Sequence, residues 1–171
     1  MRRDELPFLN QSLFMKLGKI RLSDGSELDG EDTILAFEQC CREKGSAWMG
    51  IDSLRHGMQE KRAAHFQRAL EEKQRIRVYF AIHNEHYDND IAYEAVLEKL
   101  INWKEPVLCP EPELRPEIFR DDGEACLWLK LKEIRPSREK AENYLIASTG
   151  RNLKWTICNS RYFFGYIEEK E

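Results

Sequence analysis

Residues 76–101 read IRVYFAIHNEHYDNDIAYEAVLEKLI, and this stretch decides the fold. Its first eight residues, 76–83, are rich in β-branched and aromatic side chains, which predicts a buried strand. The polar residues 83–90 predict a turn. Residues 91–101 fit an alternating strand pattern, but their apolar residues also recur at every fourth position, as in a helix. We interpret them as a strand, because the first strand needs a partner, and the two then form a β-hairpin.

Further helices and strands are predicted on both sides of this hairpin. A helix that begins near Asp32 and ends before Gly45 precedes a strand at 46–51 and a second helix at 58–74. The other predicted strands lie at 13–22 (alternatively an extended arm), 124–134, 144–148 and 161–167. Short helices are expected near 137–143 and after Gly150.

Residues 103–123 separate two of the predicted strands and contain four of the six prolines, a density that excludes a helix interior. Trp103, Val107 and Ile118 supply apolar anchors within this segment. We therefore expect an ordered excursion rather than a flexible linker.

The predicted elements indicate one soluble α+β domain with a twisted, mostly antiparallel sheet, and the composition is too apolar for a disordered chain. The chain has 171 residues, of which 42% are hydrophobic and 34% charged. No apolar run approaches the roughly 20 residues of a membrane helix, and the N-terminus has no apolar stretch of signal-peptide length. Five cysteines occur without a CxxC spacing, which argues for reduced thiols and against a zinc ribbon. We predict a cytoplasmic protein with no membrane partner, no metal and no cofactor.

The charge balance limits the kind of partner. The formal net charge is −4 and the sequence pI is about 5.7. A protein that binds nucleic-acid backbones through a broad basic surface is usually basic, so this class is disfavoured. A small basic groove or pocket on an acidic body remains compatible with these values.

Three stretches resemble the PUA-like superfamily, especially its ASCH and EVE branches. They are VYFAI at 78–82, IAYEAV at 91–96 and WLKLKEIRP at 128–136. The order of strands and helices around them also resembles that family. The resemblance covers about residues 45–168.

The resemblance implies both a fold and a function. The fold would be a small twisted sheet that closes into a β-barrel with flanking helices, formed by residues 45–171. Residues 1–44 would be an N-terminal extension, an arm plus a helix, packed on that domain. Such barrels often bind DNA or RNA, and some hold a modified or flipped base in an aromatic pocket. We therefore expect a nucleic-acid-binding module and regard an enzyme as the less favoured interpretation.

Aromatic side chains are the first candidates for contacts with a base. Trp128 alternates with leucines along its predicted strand and would face a cleft, while Trp103 lies at the start of the proline-rich segment. Trp48 and Ser46 lie at the start of the barrel's first strand, and Trp155 is the fourth tryptophan. The alternative is that the tryptophans pack in the core or under loops.

Cationic and hydroxyl side chains are the second group of candidates. Lys130 is predicted on the same strand face as Trp128, where it would form a basic aromatic stripe or simply a solvated face. Ser148 and Arg151 lie in a turn that offers a cation and backbone N–H groups to a phosphate, or serves only as a helix N-cap. Arg161, after a second polar turn, presents the same choice.

An enzyme and an interaction protein are the alternative hypotheses. His83 and His86 lie among carboxylates in the predicted turn, where a histidine–carboxylate pair performs acid–base chemistry in a small nuclease or hydrolase. Turns also contain His, Asn and Asp for conformational reasons alone. The third hypothesis is a small-ligand or protein-interaction domain in which Trp103 and the proline-rich segment form the contact surface.

Overall fold

The computed structural model describes residues 11–22, 24–51, 57–119, 123–159 and 164–170. The strands in this part of the chain are β1 (Ser12–Leu17), β2 (Ile20–Arg21), β3 (Glu27–Leu28), β4 (Ala47–Ile51), β5 (Arg77–His83), β6 (Asp88–Val107), β7 (Ala125–Pro136), β8 (Tyr144–Ile146) and β9 (Phe164–Glu169). The helices are α1 (Gly30–Lys44), α2 (Glu60–Glu71) and α3 (Leu153–Cys158). The predicted α+β class is confirmed.

The predicted hairpin is the centre of the sheet. β5 and β6 pair antiparallel, with Val78 opposite Ala95 and Phe80 opposite Tyr93. Every residue from Ile91 to Leu97 is buried. Continuous burial occurs where both faces of a strand are covered. Residues 91–101 lie within β6, which pairs with both β5 and β7, so their strand interpretation is confirmed.

Seven strands form one sheet in the order β4-β7-β6-β5-β1-β9-β8. The pairs are antiparallel except for β1 and β5, which run parallel. Among the described residues, no pairing joins the edge strands β4 and β8. The sheet is therefore open, and the barrel implied by the PUA-like resemblance is not confirmed.

The N-terminal part of the chain contributes to this same sheet. β1 lies between β5 and β9, with Phe14 opposite both Tyr79 and Gly165. α1 packs Ile34 and Phe37 into the core that the sheet also lines. The predicted division between residues 44 and 45 thus lies within one folded unit in the part that the structure describes.

Helices cover the two faces of the sheet differently. α1 and α2 pack on the face that carries Leu13, Val78 and Phe80, whereas α3 packs on the opposite face with Phe14 and Tyr79. α1 begins at a capping box between Asp29 and Asp32 and ends at Gly45, whose φ of 91° is readily adopted only by glycine. None of the helices in the described ranges is long and apolar enough to cross a membrane.

The described part of the proline-rich segment, residues 103–119, is structured, as predicted. β6 continues through Pro106 to Val107, and single 3₁₀ turns follow at Pro112–Leu114 and Glu117–Phe119. Leu114 and Cys109 pack against the cluster formed by Trp48 and Trp128. The segment therefore covers the end of the sheet where β4 and β7 pair.

Candidate ligand-binding surfaces

Two of the predicted ligand-binding tryptophans are core residues. Trp48 is 0% and Trp128 is 1% exposed. The indole Nε1 of Trp128 donates to the Val107 carbonyl at 3.0 Å. The prediction that Trp128 faces a cleft is wrong, because the proline-rich segment covers the strand face that the alternating pattern suggested was open.

Three predicted site residues, Ser46, Trp48 and Lys130, do lie together in an ionic cluster. Ser46 Oγ donates to Glu98 Oε2 at 3.0 Å, and Trp48 Nε1 donates to Glu111 Oε1 at 3.0 Å. Lys130 Nζ lies 3.3 Å from Glu98 Oε2 and 3.0 Å from Glu111 Oε1. Each polar group is thus satisfied from within the protein.

The electrostatics of this cluster favour its charged form. The hydrogen bond from Lys130, followed by that from Trp48, lowers the pKa of Glu111. The hydrogen bond to Glu111 raises the pKa of Lys130. Because Glu111 belongs to the proline-rich segment and Lys130 to β7, the cluster fastens that segment to the sheet and does not present Lys130 to a partner.

The exposed aromatic surface on α3 was only partly anticipated. We call Arg151, Lys154 and Trp155 the Trp155 surface. Trp155 is 57% exposed, and the Arg151 guanidinium carbon lies 5.8 Å from the centre of its ring. Lys154 Nζ donates to the Asp88 carbonyl at 2.5 Å. Within the described residues neither cation pairs with a carboxylate, so this surface is locally basic.

The turn before α3 uses its backbone donors internally. The N–H groups of Thr149 and Gly150 both donate to the Ile146 carbonyl, at 3.3 and 2.7 Å. The Asn152 side chain accepts from the Lys154 N–H and caps α3. Ser148 is exposed beside this turn. An anion at this place would therefore be bound by cationic side chains rather than by these backbone N–H groups.

The other exposed candidate, Trp103, belongs to a cleft of about 830 Å³. Trp103 is 58% exposed. We call this the Trp103 cleft, and its lining residues are Gly57, Met58, Gln59, Glu60, Asn102, Trp103, Lys104, Glu105 and Val107. The cleft lies between the loop that precedes α2 and the end of β6.

Asn102 fixes the wall of the Trp103 cleft. Its Oδ1 accepts from the Met58 N–H at 2.7 Å, and its Nδ2 donates to the Met58 carbonyl at 2.8 Å. Gly57 has a φ of +75°, and a Cβ there would lie 2.5 Å from Asn102 Oδ1. This close approach requires glycine, and the two hydrogen bonds hold the loop against β6 as a strand partner would.

The two exposed tryptophans belong to separate sites. The Trp155 surface contacts Asp88, the first residue of β6, whereas Trp103 lies near its other end. Fifteen residues of straight, extended strand would span at most about 50 Å. None of the residues that line the Trp103 cleft belongs to the Trp155 surface. Arg161 lies outside the described residues.

Of the two candidate histidines, His86 contacts a carboxylate that lies outside the predicted turn. His86 Nδ1 lies 2.8 Å from Glu31 Oε1, in the first turn of α1. Asn84 Nδ2 donates to Asp29 Oδ2 at 3.3 Å beside them. His83 is exposed at the end of β5. No group of three or more His, Cys, Asp or Glu that could hold a metal occurs among the described residues.

The His86–Glu31 contact predicts a pH dependence of stability. The hydrogen bond to Glu31 raises the pKa of His86 above its usual 6.5. A raised pKa in the folded state means that the contact stabilises the fold below about pH 6.5 and loses this effect as the pH rises through the folded value. Glu31→Gln should therefore lower the melting temperature more at acidic than at alkaline pH.

Nuclear magnetic resonance titration of the His86 ring measures this directly. In Glu31→Gln the pKa of His86 should return toward 6.5. Glu43→Gln is the control, since Glu43 lies on the same helix and contacts Gln39 instead. An unchanged His86 titration in Glu31→Gln would contradict the contact.

No family model matches this sequence, no curated protein matches it, and no solved structure matches its fold.

Proposed function

We propose that this chain is a nucleic-acid-binding module in which Trp155 stacks on an unpaired base. The observation that carries the proposal is a 57% exposed indole beside Arg151, the only one of the four tryptophans for which the described residues place an arginine on an exposed ring. Stacking on an aromatic side chain contributes about 1–3 kcal/mol per base and tolerates any base, because every base has a π-face. A single-stranded DNA or RNA segment is therefore the expected partner.

The local charge supports the same partner. Arg151 and Lys154 would contact phosphates on either side of the stacked base, and their charges are not neutralised by carboxylates in the described part of the chain. Two phosphate contacts to a single strand give a slope of log K against log salt of about −1.4. An acidic chain would thus bind through one small basic surface, with weak salt dependence. The PUA-like resemblance favours the same class of partner.

The test is equilibrium binding of labelled single- and double-stranded DNA and RNA at near-physiological salt. Trp155→Ala should weaken binding of single strands by about 5- to 150-fold, the equivalent of one stacked base. Trp155→Phe should retain most of the affinity, since the ring is kept. Arg151→Ala should weaken binding and reduce the salt slope by about 0.7.

Trp103→Ala is the matched control, because it removes a tryptophan of nearly equal exposure at a distant place. It should leave binding of single strands unchanged. Equal losses in both alanine variants, or no loss in Trp155→Ala, would contradict the proposed surface. Absence of binding to every nucleic acid in the wild-type protein would overturn the proposed function itself.

A further inference from the structure

We propose that the sheet face opposite α1 and α2 carries a binding site for a small-molecule phosphate monoester. Four residues form this site, which we call the Arg77 site: Arg77, Glu94, Lys132 and Arg135. It goes beyond the proposed function, because it contains no residue of the Trp155 surface and its ligand is not a nucleic-acid strand.

The Arg77 site occupies a strip between two covered regions of this face. Tyr79 belongs to the apolar cluster under α3, and Trp128 belongs to the cluster under the proline-rich segment. Val96 lies on the same face and is buried, but it belongs to neither cluster. Its direct neighbours are Arg77 on β5 and Lys132 on β7, which two strand spacings place about 10 Å apart. The strip thus has an apolar floor with a cationic side chain on each side.

A β-bulge in β7 brings the third cation to this strip. Lys132 and Arg135 are three residues apart, which in a regular strand would place them on opposite faces. Both nevertheless share one face, because their partners on β6, Val96 and Glu94, are only two residues apart. Within the bulge, Glu133 has a φ of 52°, a left-handed conformation that is uncommon for residues other than glycine. Bulges re-aim side chains, and such backbone outliers are concentrated at functional sites.

Glu94 orients the two guanidinium groups of the site. It is only 8% exposed, and its Oε2 accepts from Arg77 Nη1 at 2.7 Å and from Arg135 Nη2 at 3.3 Å. Its Oε1 accepts from Ser137 Oγ at 2.7 Å. Each guanidinium therefore uses one nitrogen on Glu94, and neither makes another hydrogen bond within the described ranges. The side chains of Arg77 and Arg135 are 34% and 57% exposed, so their remaining N–H groups are open to a ligand.

The charges and donors of the site favour a phosphate monoester. Lys132 pairs with no carboxylate in the part of the chain that the structure describes. The three cations outnumber the two carboxylates, Glu94 within the site and Glu139 beside it, and Glu139 already accepts from the Tyr144 hydroxyl at 3.1 Å. Guanidinium groups bind oxyanions through paired hydrogen bonds, and lysine adds a point charge.

The number of terminal oxygens distinguishes the monoester from other oxyanions. A phosphate monoester carries about two negative charges and three terminal oxygens, one for each cation of the site. A phosphodiester or a carboxylate offers only two such oxygens and one charge. We therefore expect the Arg77 site to discriminate against the phosphodiesters of a nucleic-acid backbone.

The test compares a monoester with a diester of the same ring. Isothermal titration of the full chain at near-physiological salt should show that phenyl phosphate binds about 10- to 100-fold more tightly than methyl phenyl phosphate, the effect of one charge-assisted hydrogen bond. Benzoate, which presents a carboxylate on the same ring, should bind as weakly as the diester.

Lys132→Gln is the most informative variant. It should weaken binding of phenyl phosphate about 10-fold and leave the melting temperature unchanged, because its ammonium group pairs with no carboxylate of the described residues. Arg135→Gln should weaken binding to a similar extent. Lys19→Gln is the matched control, since Lys19 is an exposed lysine between β1 and β2 and should not affect binding.

Three results would overturn the inference. They are equal affinity for the monoester and the diester, absence of phenyl phosphate binding to the wild-type chain, and unchanged binding in both Lys132→Gln and Arg135→Gln. Trp155→Ala should leave binding of phenyl phosphate intact, and a loss there would place the ligand at the Trp155 surface instead. The proposed stacking at Trp155 is measured separately, with single strands, so the two proposals can fail independently.

Discussion

Arg115→Ala should lower the free energy of unfolding by about 3–5 kcal/mol, although the replaced side chain is a charged residue in a proline-rich loop. Arg115 is only 5% exposed. Its guanidinium donates to the carbonyls of Trp48 at 2.9 Å and Phe119 at 3.1 Å. It also lies 5.1 Å from the Trp128 ring centre. Truncation would leave two buried carbonyls without these donors and open a cavity between aromatic rings.

The decrease in the free energy of unfolding should exceed the contribution of the two hydrogen bonds alone, because Arg115 joins three segments. Trp48 belongs to the edge strand β4, Phe119 to a 3₁₀ turn and Trp128 to β7. An exposed strand edge can pair with another chain. Because Arg115 donates a hydrogen bond to a carbonyl of the edge strand β4, it also protects against aggregation. Arg115→Ala should therefore aggregate more readily on heating as well as unfold earlier.

Urea denaturation followed by tryptophan fluorescence measures the loss. Arg138→Ala is the control, since Arg138 is an exposed arginine and should change stability by less than about 0.5 kcal/mol. Arg115→Lys keeps the positive charge but loses the planar guanidinium group, so its loss of stability should lie between those of Arg115→Ala and Arg138→Ala. A loss below about 1 kcal/mol in Arg115→Ala would show that the guanidinium does not join these segments.

Local patterns predicted the elements of this fold better than their arrangement. The β5–β6 hairpin was predictable because its two strands are adjacent in sequence and joined by a polar turn. α1 was predictable from its cap residues, Asp29 and Gly45. The parallel pairing of β1 with β5 joins residues more than sixty positions apart, and no local pattern encodes such a contact. The barrel implied by the resemblance is not confirmed, because no pairing of the described residues joins the two edge strands.

The candidate site was less predictable, because the exposure of a side chain depends on what covers it. The alternating pattern of residues along β7 correctly placed Leu127 and Leu129 on one face of the strand and Trp128 on the other. It could not reveal that the proline-rich segment covers the face that carries Trp128. The partners of Lys130 were missed for a similar reason. Glu98 and Glu111 lie far from it in sequence, and a single glutamate in a polar stretch carries no signal that it will pair with a distant lysine. Asn102 was also missed, since its role depends on a loop brought to it by α2.

Trp128→Ala should destabilise the fold by about 3–5 kcal/mol, the usual cost of removing a fully buried tryptophan. Trp128 is 1% exposed, and its ring lies so close to Gly50 that a Cβ there would be 3.1 Å from it. Little room exists for the neighbouring strands to collapse into the space. Trp128→Phe should cost less, about 1–3 kcal/mol, because it keeps an aromatic ring but leaves the Val107 carbonyl without its donor.

Comparison of these two variants separates a packing role from a binding role for Trp128. Val107 is held by the Trp128 indole and also lines the Trp103 cleft. Trp128→Phe should first be shown by circular dichroism to be folded. Binding of single strands at the Trp155 surface should not change, because that surface contacts the other end of β6. A large loss of strand binding in the folded Trp128→Phe variant would instead place Trp128 in the nucleic-acid site, against its burial in the core.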